Sequence, residues 1–97
     1  MEISPARESE WLTWMQKVHI PEVMATGSFT SYEFLRSPAG LVYSIYYRCK
    51  DQDTYDEYQR IHAPDLQQKH TDLFKGDFKA SRELLDVVEH LHWAYLI

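Results

Sequence analysis

The chain has 97 residues, with 10 Lys or Arg against 15 Asp or Glu and a formal net charge of −5. That length holds one domain, residues 1–97. The acidic balance excludes the basic face of a nucleic-acid binder and gives no attraction to an anionic membrane surface.

Apolar residues are 44% of the chain and aromatics 14%, enough for a core. A chain this short buries a smaller share of its surface than a large domain does, so it gains from dimerisation. Cys49 is the single cysteine and cannot form an intramolecular disulfide, which points to a reducing cytoplasm. The first residues carry acids and no apolar run, unlike a signal peptide. No stretch approaches the ~18 consecutive apolar residues of a membrane span.

Met1-Glu2-Ile3 is the only material for a strand ahead of the first helix. Ser4-Pro5 starts that helix, with serine as cap and proline at the first helical position, where its missing N–H costs nothing. Glu8 and Glu10 follow where the helix dipole favours acids. Trp11, Met15 and Val18, with Leu12 and Trp14 beside them, recur at helical spacing as an apolar stripe. Ile20 precedes Pro21, so the spacing predicts a break near His19. Pro21 to Ala25 then forms a short second helix, ended by Gly27.

Phe29–Leu35 and Leu41–Cys49 are rich in strand formers, and Pro38-Ala39-Gly40 turns one into the other as a hairpin. In the second strand Tyr43, Ile45 and Tyr47 point one way, and Val42, Ser44, Tyr46 and Arg48 the other. Both faces carry large groups. Helices cover one, and a second sheet, most simply a partner's, covers the other.

Asp53 is the expected cap of the next helix, with Asp56 in its first turn and Tyr55, Tyr58, Ile61, His62 and Leu66 as its stripe. Pro64 predicts a kink or restart at Ala63. The pattern resumes through Leu73-Phe74 and stops at Gly76. Phe78–Leu85 reads as a third strand with Phe78, Ala80, Arg82 and Leu84 on one face. Residues 86–91 are helix or loop. Residues 92–97 are strand-like, and would complete the sheet in place of the short first strand or pair with a partner chain.

The order predicts an α+β fold: a ferredoxin-like (split βαβ) antiparallel sheet with helices on one face. Several blocks resemble those of a bacterial family of small proteins of unknown function. They are Trp11-x-x-Trp14-Met15, His19-Ile20-Pro21-Glu22-Val23-Met24-Ala25-Thr26-Gly27-x-Phe29, Tyr43-Ser44-Ile45-x-Tyr47, Tyr55-x-x-Tyr58, Ala63-Pro64-x-Leu66 and Phe78-x-Ala80-x-Arg82-x-Leu84-Leu85. That family is similar to the dimeric α/β-barrel group, whose ferredoxin-like protomers pack their sheets face to face. The group includes cofactor-independent monooxygenases, haem-degrading enzymes and proteins without known activity. The resemblance therefore implies a fold and a homodimer, but no reaction.

The residues that could carry chemistry are few. His19 ends the first helix, where an imidazolium suits the dipole; alternatively it moves a proton or orients a ligand. Trp11 and Trp14 are core aromatics, or else a platform for a flat substrate. Arg82, on an apolar strand face, needs a partner. A helix carboxylate such as Glu22 would serve, or an anionic or carbonyl-bearing ligand held by the guanidinium fork. Tyr46 is the residue best placed to meet a dimer partner.

His62 and His70 lack metal-site spacing, and His90 and His92 read as a solvated tail, so no metal site and no cofactor is expected. Cys49 has no neighbour that marks a nucleophile. The first functional reading is a homodimeric binding or interaction module with a pocket for a small apolar or aromatic molecule, lined by Trp11, Trp14, Tyr46 and Arg82. The second is a cofactor-independent, monooxygenase-like enzyme with His19 and Arg82 as its catalytic pair. The third is a purely structural dimer.

Overall fold

The computed structural model describes residues 1–88. They form a mixed α+β structure with two small antiparallel sheets and no closed barrel. The expected strand at residues 92–97, and the tail pair His90 and His92, lie outside the described residues.

Strand β1 (Glu2–Ile3) opens the chain and leads through a 3-10 turn (Pro5–Arg7) into helix α1 (Glu8–Trp14). Ser4 precedes that turn without a side-chain cap bond. The helix does not break at His19 as expected. It widens into a π-helical turn (Met15–His19) and continues as α2 (Ile20–Ala25). In the wide turn the Ile20 N–H reaches back five residues to the Met15 carbonyl. Pro21 has no N–H to give and its ring crowds the preceding turn, so the loosened turn lets the helix pass it.

The wide turn also corrects the expected stripe. One extra residue advances the buried face by one position. Trp11 and Met15 are fully buried, but the face then continues through Ile20 and Val23, and Val18 is left 37% exposed. Gly27, with φ of 76°, ends the run.

β2 (Ser31–Arg36) and β3 (Tyr43–Arg48) form the expected hairpin, with Tyr32 opposite Tyr47, Phe34 opposite Ile45 and Arg36 opposite Tyr43. Its turn places both Gly40 and Leu41 at positive φ, 80° and 64°. Tyr43 is buried on the helix side, its ring 4.9 Å from that of Trp11. Glu33, Leu35, Ser44 and Tyr46 are exposed on the other side.

Helix α3 (Gln52–Ile61) is capped by Asp51, not Asp53: its carboxylate accepts the Thr54 N–H at 2.8 Å. The helix thus begins two residues earlier than expected. A restart, not a kink, follows. His62 separates α3 from α4 (Ala63–Phe74), and Pro64 lies in the first turn of α4. The restart resets the phase, so Ala63, Leu66, His70 and Phe74 are buried while Ile61 is 47% exposed.

The expected strand over Phe78–Leu85 is confined to β4 (Phe78–Lys79). β4 pairs antiparallel with β1, and residues 80–88 form no strand because β1 supplies only two residues of ladder.

β1 therefore has β4 on one side. On the other it touches the hairpin through an antiparallel bridge from Glu2 to Val42. Ile3 N–H donates to the Leu41 carbonyl at 3.0 Å, and Tyr43 N–H to the Met1 carbonyl at 2.8 Å. Arg7 ties the same corner together, pairing with Asp77 at 3.0 Å and lying 4.7 Å from the centre of the Phe74 ring. The core divides into two neighbouring clusters, one around Ile3, Trp11, Met15, Ile20, Tyr43 and Phe74, the other around Val23, Phe29, Tyr58, Ala63 and Leu66.

Candidate functional site

The wide helical turn sets the first feature. It carries His19 round to stack on Trp14, ring centres 5.1 Å apart and planes 29° from parallel. Across from it lies His70, with ring centres 5.9 Å apart. His70 occupies a stripe position of α4 and is 5% exposed, its ring 4.4 Å from Phe78 and 5.5 Å from Phe74.

The Trp11 indole N–H donates to Nε2 of His70 at 2.8 Å. Nε2 must therefore be unprotonated, and the ring's one proton sits on Nδ1. Burial, then the neighbouring charges of His19 and Arg82, push His70 down to about 4. Burial also lowers His19, with Glu22 opposing and Arg82 and Lys69 adding to the effect. Both imidazoles are thus held toward the neutral form, which suits an acceptor rather than a cation.

The second feature is an open groove of about 1000 Å³ between the helices and the hairpin. Met15, His19 and Val23 line it from the helical run, Tyr43, Ile45 and Tyr47 from β3, Tyr55 and Tyr58 from α3, and Phe29 and residues 80–87 complete it. Apolar and aromatic walls alternate with polar and charged groups, among them Arg48, Lys50, Gln59 and Glu83. One polar group is unusual. Among the described residues, the Tyr47 hydroxyl is the one buried side-chain polar atom without a hydrogen-bond partner. Burial, followed by the nearness of Tyr58 and Tyr32, pushes its ionisation well above the usual tyrosine range.

His19, Arg82 and Tyr46 all border this groove, and Trp11 and Trp14 do not. Trp11 is fully buried in contact with Tyr43, Phe34 and His70. Trp14 packs on His19, His70 and Phe74. Tyr46 is 48% exposed.

Arg82 does not sit on a buried strand face. It is exposed, and among the described residues it forms no ion pair. Glu22, its expected carboxylate partner, pairs with Lys69 at 3.1 Å. No described group of three or more His, Cys, Asp or Glu is disposed to hold a metal, and no described helix is long and apolar enough to cross a membrane.

Two residues escaped the sequence reading. His70 lacks metal-site spacing, yet its place four residues after Leu66 and seven after Ala63 is the sequence sign of a buried imidazole. The unpartnered hydroxyl of Tyr47 has no sequence sign, because satisfaction of a hydroxyl depends on what the fold brings near it.

Comparison with known proteins gives one result. The model of a family described as a domain of unknown function, DUF4286, matches residues 1–88. No curated protein and no solved structure matches the chain.

Proposed function

The chain belongs to the DUF4286 family, whose function is unknown, and we propose that it is a homodimeric cytoplasmic binding module taking a small apolar or aromatic molecule into the groove between helices and hairpin. The groove itself carries this reading: about 1000 Å³, with Ile45, Tyr55 and Leu84 among its apolar walls and polar groups between them, a concave mix of apolar surface and polar groups of the kind small-molecule sites use. The ligand body would lie on the aliphatic and tyrosine walls, since both tryptophans are turned to other work.

A ferredoxin-like arrangement is supported by the strand neighbours. Taken through the Glu2–Val42 bridge, the order is β2-β3-β1-β4 with every contact antiparallel, which is what a split βαβ unit requires. That arrangement leaves one sheet face bare, and a partner's sheet is its natural cover.

The oxygenase-like reading keeps one specific support, the presence of His19 and Arg82 on the same groove. The loss of the tryptophan platform weighs against it.

Calorimetric titration with a panel of neutral aromatic and aliphatic compounds tests the binding module. Saturable heats at micromolar to millimolar concentration, lost in an Ile45→Trp variant that narrows the groove and keeps the wild-type circular dichroism, are expected. No heat with any compound would defeat the ligand-based readings and leave the structural dimer.

A further inference from the structure

We infer that the open edge of β3 is a vacant strand position, and that residues 92–97 of the same chain fill it, lying between β3 and residues 80–87. The inference goes beyond the ligand reading, because it concerns the sheet side of the groove.

The edge is free over most of its length. Within β3, β1 reaches only Tyr43: its N–H donates to the Met1 carbonyl at 2.8 Å, and the Met1 amine donates to its carbonyl at 2.6 Å. Backbone groups alternate in direction along an antiparallel strand. Ser44 and Tyr46 therefore turn theirs to β2, while Ile45 and Tyr47 turn theirs towards the line of β1. Among the described residues no backbone bond reaches Ile45 or Tyr47 from that side. Unpaired N–H and C=O groups in a row are a template for another strand. Both residues border the groove, so the groove holds the place where that strand would lie.

The other margin fits the same occupant. Residues 80–87 all border the groove and continue from β4. β4 is antiparallel to β1, and β1 to the hairpin strand at Val42. β4 and β3 thus run the same way, and a strand between them must run against both. A chain that reverses once after residue 87 does so. Residues 88–91 give a four-residue connection, an ordinary hairpin length. Residues 92–97 then match residues 44–49 in number.

Composition favours an interior position. His92-Trp93-Ala94-Tyr95-Leu96-Ile97 holds no Asp, Glu, Lys or Arg in a chain that is 26% charged. As a strand it would be largely apolar on both faces, which suits a place between two neighbours. The groove margins carry charges of both signs, Arg48 and Lys50 beside β3 and Glu83 and Asp86 on the other side. They single out no ligand charge, and main-chain pairing needs none.

Amide hydrogen exchange of the full chain, read residue by residue by NMR, tests the edge. The Ile45 and Tyr47 amides should exchange about 100-fold more slowly in the wild type than in Tyr95→Pro, whose proline is not tolerated in an interior strand. The Ser44 and Tyr46 amides, which face β2, should stay protected in both and show that the variant is folded. A sample mixed from chains with two different isotope labels should give contacts from Tyr95 to β3 within one chain.

Fast exchange of Ile45 and Tyr47 in the wild type would overturn the inference by leaving the edge open. Protection that survives Tyr95→Pro would overturn it by giving the edge to another occupant. Contacts found only between differently labelled chains would overturn it in favour of a second copy.

Discussion

The indole N–H of Trp11 meets Nε2 of His70 at 2.8 Å, joining two helices 59 positions apart in sequence. Neither group is exposed enough to find water instead: Trp11 is 0% and His70 5% accessible. The bond therefore fixes how α1 and α4 pack, and it fixes the His70 tautomer as well. His19, Trp14, Phe74 and Phe78 close around the same ring.

Replacing His70 with Ala removes an acceptor and opens a void beside a fully buried tryptophan. The expected loss is about 2–4 kcal/mol, from the cavity and the orphaned indole N–H together. His70→Phe keeps the volume and should cost about 1–3 kcal/mol, the unsatisfied donor alone. Urea unfolding of both variants separates the two contributions. A loss below 0.5 kcal/mol in both would show that the contact does not hold the helices together.

The same pair makes stability depend on acidity. His70 titrates at about 4 in the fold against an ordinary 6.5. The unfolded chain thus binds the proton more readily, and stability falls as pH falls. The contribution is complete above pH 6.5 and is lost between there and about pH 4. His19 is lowered too, so it acts in the same direction. Unfolding midpoints measured from pH 7 to pH 4 should decline across that window, and His70→Phe should flatten part of the slope. An identical slope in the variant would assign the effect to other groups.

Much of the architecture was legible in the residues. The hairpin followed from two strand-forming runs around Pro38-Ala39-Gly40, and the division between α3 and α4 from Pro64. Gly27 and Gly76 both stand at positive φ where a helix has just ended. What was not legible depended on tertiary context. Pro21 announces a break, but whether a helix stops or widens depends on the packing on both sides of it. Ile20 and Val23 are buried there, which favours continuing. The length of β4 depended on a partner strand of two residues, not on its own alternation. The candidate site divided in the same way. His19 stands at the helix bend that Pro21 announces and His70 at a stripe position of α4, both places readable in the sequence, whereas the unpartnered Tyr47 hydroxyl shows only in what surrounds it.

Arg82 gives a prediction that is electrostatic and not structural. Its charge lowers both His19 and His70, yet it is exposed and forms no described ion pair. Arg82→Gln should therefore leave stability within about 0.5 kcal/mol of the wild type and raise both imidazole pKa values. Proton NMR titration of the histidine ring signals reads both shifts. Unmoved titration curves would place Arg82 away from the two rings in solution and remove it from the groove.

Ile3 tests the short first strand. It is 4% exposed and belongs to the cluster containing Trp11 and Phe74. Its N–H bonds the Leu41 carbonyl while its own strand pairs with β4. Two residues of strand thus link β4 to the hairpin. Ile3→Ala should cost about 2–4 kcal/mol, and Ile3→Asp, which buries an unpaired carboxylate, should prevent folding. Near-ultraviolet circular dichroism and thermal midpoints report both. A variant with native midpoint would show that the sheet is held at its edges and not through β1.

The bare face of the hairpin leads to the last prediction. Leu35 is 45%, Val42 40% and Tyr46 48% exposed. Strand alternation puts them on the side away from the helices, with Glu33 and Ser44 between them. Two copies of such a face could cover each other by a two-fold operation, since one patch would serve both subunits. The proposed homodimer should therefore be the main species at micromolar concentration by multi-angle light scattering. Tyr46→Glu combined with Leu35→Lys should raise the dimer dissociation constant at least ten-fold. Both positions are exposed within the protomer, so its circular dichroism should not change. A wild-type protein that stays monomeric at 100 μM would defeat the sheet-on-sheet dimer. A dimer indifferent to both substitutions would move the interface to another surface.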